Sequence, residues 1–294
     1  MEISEPGFFI DPYIVRQGIT LIWGKTSIGK SPLTWEMARA IGNGSDFFGL
    51  PAQKGRVLYI EVDTPLGVVH DRVKKVPSAQ DVTFLFSNPF NLPLMDRRER
   101  EELKAVRDIA QPDVVFFNTL RKMHSMDDRE ARVPRIVYGE MKELFPGATL
   151  VFVHHERKSS TDPRAQVYGG ESFSGSGHWL NDAQSGLHLE KYSQGKANLM
   201  LYHKKSQASV LLKPLALTLE RDGTRLTSPL YDELLQVQTI MEARVEKGQE
   251  LDRLLMVMLG VSESTARRRR LLIEEGRFPG RGFLERLPGE EELE

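Results

Sequence analysis

Short, nearly unbroken apolar runs alternate with amphipathic stretches between residue 18 and about residue 155. The runs at 19–23, 57–60, 82–86, 114–117 and 150–153 have the length of strands and lack the polar alternation of a half-exposed sheet, so they read as strands covered on both faces. The intervening stretches at 32–41, 66–76, 97–109 and 133–144 read as the covering helices. This alternation predicts an α/β domain with a mostly parallel sheet. From residue 186 the spacing shortens, and the runs 187–189, 199–202, 210–212 and 215–219 predict antiparallel strands that close the sheet. Residues 159–177 are rich in Ser, Gly, Asp and Pro and have no period, which predicts a long loop of the kind that is functional or unstructured. The Asp222-Gly223 turn signal precedes charged helical sequence, so the expected division is 1–222 for the α/β domain and 223–294 for a small helical module ending in an acidic tail.

Composition narrows the chemistry. The 294 residues include no cysteine, which excludes disulfides, thiolate metal sites and cysteine nucleophiles and leaves oxygen or histidine ligands for any metal. No apolar stretch reaches the roughly 18–20 residues of a membrane span, and the start is acidic rather than basic, so a cytoplasmic protein without a membrane partner is expected. The formal net charge of -1 means that any nucleic-acid contact must be local. Local basic clusters occur at Arg157 and Lys158, with Arg164 nearby, and in the run Arg267, Arg268, Arg269 and Arg270.

The most specific motif is Gly24-Lys25-Thr26-Ser27-Ile28-Gly29-Lys30-Ser31, which matches G-x-x-x-x-G-K-[ST] directly after a predicted strand and before a predicted helix. Such a loop turns its backbone N–H groups toward phosphate oxygens at the positive end of a helix dipole. Lys30 is expected to reach the β- and γ-phosphates of ATP, and Ser31 to offer its hydroxyl to Mg2+. Pro32 follows within the first helical turn and removes one amide that could have faced the nucleotide.

With this P-loop fixed, the chain resembles the RecA-like hexameric replicative helicases of the plasmid RepA type and related phage and plasmid AAA-type ATPases. The resemblance spans roughly residues 18–220 and rests on GKTSIGKSPLTWEMA, RVLYIEVDTP, PDVVFFNTL, LVFVHHERK and FSGSGHWLNDAQSGLHL in that order. It implies a RecA-like P-loop NTPase core and a carboxylate that polarises the attacking water, for which Asp63 aligns better than Glu61. It also implies a Walker B residue that holds a magnesium-bound water. Asn118 occupies that position, without the usual charge, unless the alignment slips to Asp113 at the start of the strand. His154 or His155 resembles the residue that senses the γ-phosphate, with His154 taken as the catalytic candidate. Lys204, Lys205 and Gln207 fall where relatives place a pair reaching the neighbouring subunit's nucleotide. The neutral Asn118 and Gln207 imply slow hydrolysis, and Asn118→Asp is expected to speed it.

Residues 251–276 read as an apolar helix, a turn at Gly260, an N-cap at Ser262 and a basic second helix, the pattern of a helix-turn-helix or winged-helix-like module. Such pairs contact either DNA or protein. Four consecutive arginines sweep about a full helical turn, so they cannot all face one groove. The expected function is an ATP-hydrolysing ring, hexameric by resemblance, that unwinds or translocates DNA in phage or plasmid replication and holds single-stranded DNA with the 159–177 loop. The alternative is a nucleotide-gated DNA-binding, regulatory or assembly protein with little turnover, acting on single-stranded or duplex DNA.

Overall fold

A computed structural model describes residues 7–75, 81–86, 97–156, 177–193, 197–243, 247–280 and 284. In chain order the strands are β1 (Phe8–Ile10), β2 (Ile14–Val15), β3 (Ile19–Gly24), β4 (Asp46–Phe47), β5 (Leu50–Pro51), β6 (Val57–Glu61), β7 (Val82–Phe86), β8 (Val114–Asn118), β9 (Thr149–His155), β10 (Ser185–Lys191), β11 (Leu199–Ser206), β12 (Leu215–Leu219) and β13 (Leu226–Thr227). The α-helices are α1 (Lys30–Asn43), α2 (Leu66–Lys75), α3 (Arg97–Ala110), α4 (Val133–Leu144), α5 (His178–Asn181), α6 (Pro229–Ala243), α7 (Gln249–Leu259) and α8 (Glu263–Glu274). A nine-stranded sheet runs in the order β13-β12-β11-β10-β3-β9-β8-β6-β7. The strands from β10 to β7 are parallel, and β11, β12 and β13 continue the sheet as an antiparallel meander. This is the RecA-like α/β architecture with a mostly parallel sheet and antiparallel closing strands.

The predicted parallel strands and their covering helices are all present, with ends displaced by at most two residues. The run 210–212 is not a strand. Val210 and Leu211 are exposed, and Pro214, which has no N–H to give a ladder, follows two residues after the run. Only Leu212 of that run is buried in the core.

Side-chain alternation divides the sheet into two faces, each with its own core. Tyr59, Phe116, Val151 and Ile22 pack with Leu33, Met37 and Ile41 of α1. Ile60, Phe117, Phe152 and Leu21 pack instead with Leu103 of α3, Val137 and Met141 of α4, and Trp179 of α5. Both faces are buried, which is why these strands show no polar alternation.

The C-terminal helices join the α1 face. Leu234 of α6, Leu272 of α8 and Phe278 belong to the same apolar cluster as α1, and the Gly280 N–H donates to the Gly49 carbonyl at 2.7 Å. A smaller cluster of Val237, Leu251, Leu255 and Ala266 holds the three helices to one another. Helix α7 ends at Gly260 in the left-handed region (φ 65°), and α8 begins at Ser262, whose Oγ accepts the Thr265 N–H at 3.2 Å. Among the described residues no helix is long and apolar enough to cross a membrane.

Candidate nucleotide-binding site

The site is built where the parallel strands end, the place at which open α/β sheets bind ligands. Gly24 closes β3 and packs so tightly that a Cβ there would lie 2.5 Å from the Leu189 carbonyl oxygen. The loop then turns through Ser27 (φ 60°) and Gly29 (φ 114°), and α1 starts at Lys30. Gly29 takes a conformation that side chains rarely adopt, so the residue type follows from the turn. Lys25, Thr26 and Ser27 are exposed at the loop's outer edge, whereas Ile28, Gly29 and Lys30 are buried. Pro32 is buried in the first turn of α1, where its missing N–H breaks no helical bond.

The Lys30 ammonium donates to the Gly24 and Lys25 carbonyls at 2.8 and 2.7 Å and stands 3.5 Å from Nδ1 of His155. Burial lowers its pKa to about 8, with Asp63 and Glu156 pulling it back up. His155 is also held below its usual value, first by burial and then by the Lys30 charge. Phosphates bound at this loop would favour the ammonium form of Lys30. Affinity for a nucleoside triphosphate should therefore be level below pH 8 and fall above it, by up to about tenfold per pH unit. A fluorescent-nucleotide titration from about pH 7 to 10 checks this, and a flat profile would show that Lys30 stays charged throughout.

Strand parity decides which predicted residues meet at the loop. On β6, β8 and β9 the positions facing α1 continue from Tyr59, Phe116 and Val151 to Glu61, Asn118 and His155. Asn118 Nδ2 donates to Ser31 Oγ at 2.9 Å and to Glu61 Oε2 at 2.7 Å. Glu61 Oε1 accepts the N–H groups of Asp63 and Thr64, both at 3.0 Å. Burial raises the Glu61 pKa above the usual carboxylate range, opposed by these hydrogen bonds. Asp63 lies beyond the end of β6, exposed, and pairs with Lys122 at 3.3 Å. The carboxylate at the Ser31 centre is thus Glu61, while Asp63 stands at the rim.

His154 does not reach the phosphate loop. It points to the opposite face, fully buried against Trp179 at 5.6 Å between ring centroids, and His155 takes the place beside Lys30. The reason is the alternation of β9, which puts His154 on the side of Phe152. Asp113 sits at the opposite end of β8, paired with Arg56, so the slipped Walker B alignment places no carboxylate near Ser31.

Of the residues proposed to reach a neighbouring subunit, Lys204 and Gln207 are exposed, with Lys204 over the Tyr202 ring. Lys205 instead donates to the Leu180 and Asn181 carbonyls at 2.8 and 2.7 Å, binding α5 to β11. Arg267 and Arg268 are exposed on α8. Arg269 pairs with Glu233, and Arg270 pairs with Asp252 and Glu274. Arg157, Lys158, Arg164 and the loop from 159 to 176 lie outside the described residues.

Sequence reasoning missed Lys122 and Glu156 as charged neighbours of the site. Their signal was available, since each follows closely on the end of a strand already assigned to it. The Ser31 hydroxyl, the Glu61 carboxylate and the Asn118 amide form a set dominated by oxygen, which suits magnesium held chiefly by phosphates and water. Elsewhere, a cavity of about 640 Å³ lies at the other end of the strands against Arg16, Arg56, Arg107 and Asp113. Its arginines are already engaged by Gln53, Asp113 and the Leu144 carbonyl.

The flagellar accessory protein FlaH from Methanocaldococcus jannaschii has a similar fold, with a TM-score of 0.50 at 10% identity over 73% of this chain and 91% of FlaH. No curated protein matches the sequence. A family model described as an AAA domain matches residues 2–161, more than half of the chain and the segment that carries the loop, Glu61, Asn118 and His155. The chain belongs to this family of AAA domains, P-loop proteins with a RecA-like fold.

Proposed function

We propose that this protein binds ATP with magnesium, hydrolyses it slowly, and works as a ring-forming motor on DNA in phage or plasmid replication. The observation that carries the nucleotide half is a convergence on one face of the sheet. Lys30 and Ser31 at the start of α1 meet Glu61, Asn118 and His155 at the ends of three strands. The triphosphate would lie across the N-terminus of α1, with Lys30 on its outer phosphates and the Ser31 hydroxyl held in place by Asn118. Magnesium, when bound, neutralises phosphate charge and aligns the terminal phosphoryl group. Asp63, exposed at the rim, is the group available to orient water, and His155 is placed to register the charge next to Lys30. Lys204 and Gln207 would serve a neighbouring subunit, as head-to-tail rings require.

A second reading, a nucleotide-gated DNA-binding regulator, is favoured by α8. Arg267 and Arg268 are exposed while their two neighbours are tied inward, so a pair of cations is left for phosphate contacts. The two readings separate in one experiment on the full chain: ATPase rate with and without single-stranded DNA, and DNA affinity across a salt series, for wild type and Arg267→Glu/Arg268→Glu. A motor shows turnover stimulated by single strands and ATP-dependent, salt-sensitive, sequence-tolerant binding in both proteins. A regulator shows duplex affinity that collapses in the double variant and turnover indifferent to DNA. If neither protein binds nucleic acid at low salt, both DNA readings fall.

A further inference from the structure

We propose that Glu61 supplies the carboxylate of the magnesium environment that Asn118 lacks, so that the charge expected at the end of β8 stands one strand away, at the end of β6. The inference rests on the nucleotide-binding reading above and assigns Asn118 a positioning role within it.

Three observations converge. Glu61 and Asn118 are direct partners in the parallel register of β6 and β8, and both face α1. The Asn118 amide bridges the Ser31 hydroxyl and Glu61 Oε2, making a continuous chain Ser31–Asn118–Glu61. Glu61 is only 3% exposed, its other oxygen is filled by backbone N–H groups, and the charge closest in effect is the like charge of Asp63. A buried carboxylate served by neutral donors alone is costly unless a cation joins it. A carboxylate joined through one amide to a metal's ligand helps to orient that ligand and sets the charge around it.

This arrangement reverses the expectation drawn from the motif. Asn118→Asp alone would remove the amide N–H groups that join Ser31 Oγ to Glu61 Oε2 and set two carboxylates against each other at the 2.7 Å contact. Exchanging the two groups, Glu61→Gln with Asn118→Asp, keeps one carboxylate and one amide in hydrogen-bonding contact.

The test is the affinity of the full chain for a fluorescent, non-hydrolysable ATP analogue, titrated with magnesium and in EDTA. Wild type should bind more tightly with magnesium. Glu61→Gln should lose about 10- to 100-fold of that magnesium-dependent gain, the ratio of its affinity with magnesium to that in EDTA, and a cooperative thermal melt without nucleotide shows that the variant is folded. The exchanged double variant should regain most of the gain, and Asn118→Asp alone should not exceed wild type. A Glu61→Gln protein with the wild-type magnesium gain would overturn the proposal, as would Asn118→Asp strengthening it. Either result leaves the nucleotide reading standing, because binding in EDTA and its dependence on Lys30 persist. If wild type binds no nucleotide, or Lys30→Ala binds equally well, the nucleotide reading fails and takes this proposal with it.

Discussion

Lys30→Ala abolishes the rise in melting temperature that wild type shows with magnesium and a non-hydrolysable ATP analogue. A ligand that binds only the folded chain stabilises it by about 2.7 kcal/mol at a hundredfold excess over its Kd, a shift of roughly 5 °C or more for a chain of this size. Lys30 supplies the buried charge at the N-terminus of α1, and its ammonium already sits among the carbonyls of the loop that would wrap the phosphates. Alanine leaves the helix and both glycines in place, so the loop's shape survives while its cation does not. Differential scanning fluorimetry across a nucleotide series reads the effect directly. An equal shift in the variant would mean that the stabilising ligand binds elsewhere.

The second large effect concerns the C-terminal helices. Arg270→Met should cost about 3 kcal/mol of stability, because it strands Asp252, which is 2% exposed, without its partner. Arg270 meets Asp252 in a two-pronged contact, Nε to Oδ1 at 2.7 Å and Nη2 to Oδ2 at 3.1 Å, and a further nitrogen reaches Glu274. This pair joins α7 to α8 across the Gly260 turn. Arg267→Ala, on the exposed side of the same helix, should change stability by less than about 0.5 kcal/mol. Replacing both partners, Asp252→Leu with Arg270→Met, should recover most of the loss, since no buried charge is then left unpaired. Urea denaturation of the four proteins makes the comparison, and equal midpoints for Arg270→Met and Arg267→Ala would refute the structural role of the pair.

These two arginines mark where sequence stops being informative. A run of four identical cations is uniform on paper, yet helical geometry turns Arg270 into the packing and leaves Arg267 and Arg268 in solvent. Nothing in the run itself says which of the four meets Asp252, 18 residues away. The phosphate loop was legible because its geometry dictates residue types: a glycine at Gly29 for the positive φ, another at Gly24 for the approach of Leu189. The central strands were legible because burial on both faces leaves an apolar run. The two-residue strands β2, β4, β5 and β13 were not, since nothing so short carries a period.

The choice between His154 and His155 depended on parity, and the choice between Glu61 and Asp63 on where β6 ends. His154 and His155 are equally polar, as are the two acids that flank Val62, and a family pattern favours one of each. The phase that decides between the histidines was present in the pair Val151/Phe152, but only the packing of α1 identifies which face of the sheet holds the phosphate loop.

The way Leu234, Leu272 and Phe278 enter the cluster around α1 bears on how this chain can be recombined. A segment that shares its core with the rest of the protein does not travel as a cassette. Grafted onto another carrier, residues 223–294 would carry bare apolar patches where Leu272 and Phe278 now meet the body of the protein. The remainder, left behind, would expose the flank of its own nucleotide helix. Substitutions along that seam must therefore be compatible with both sides at once, and shuffling that exchanges one side alone should yield chains that aggregate rather than chimeras with new specificity.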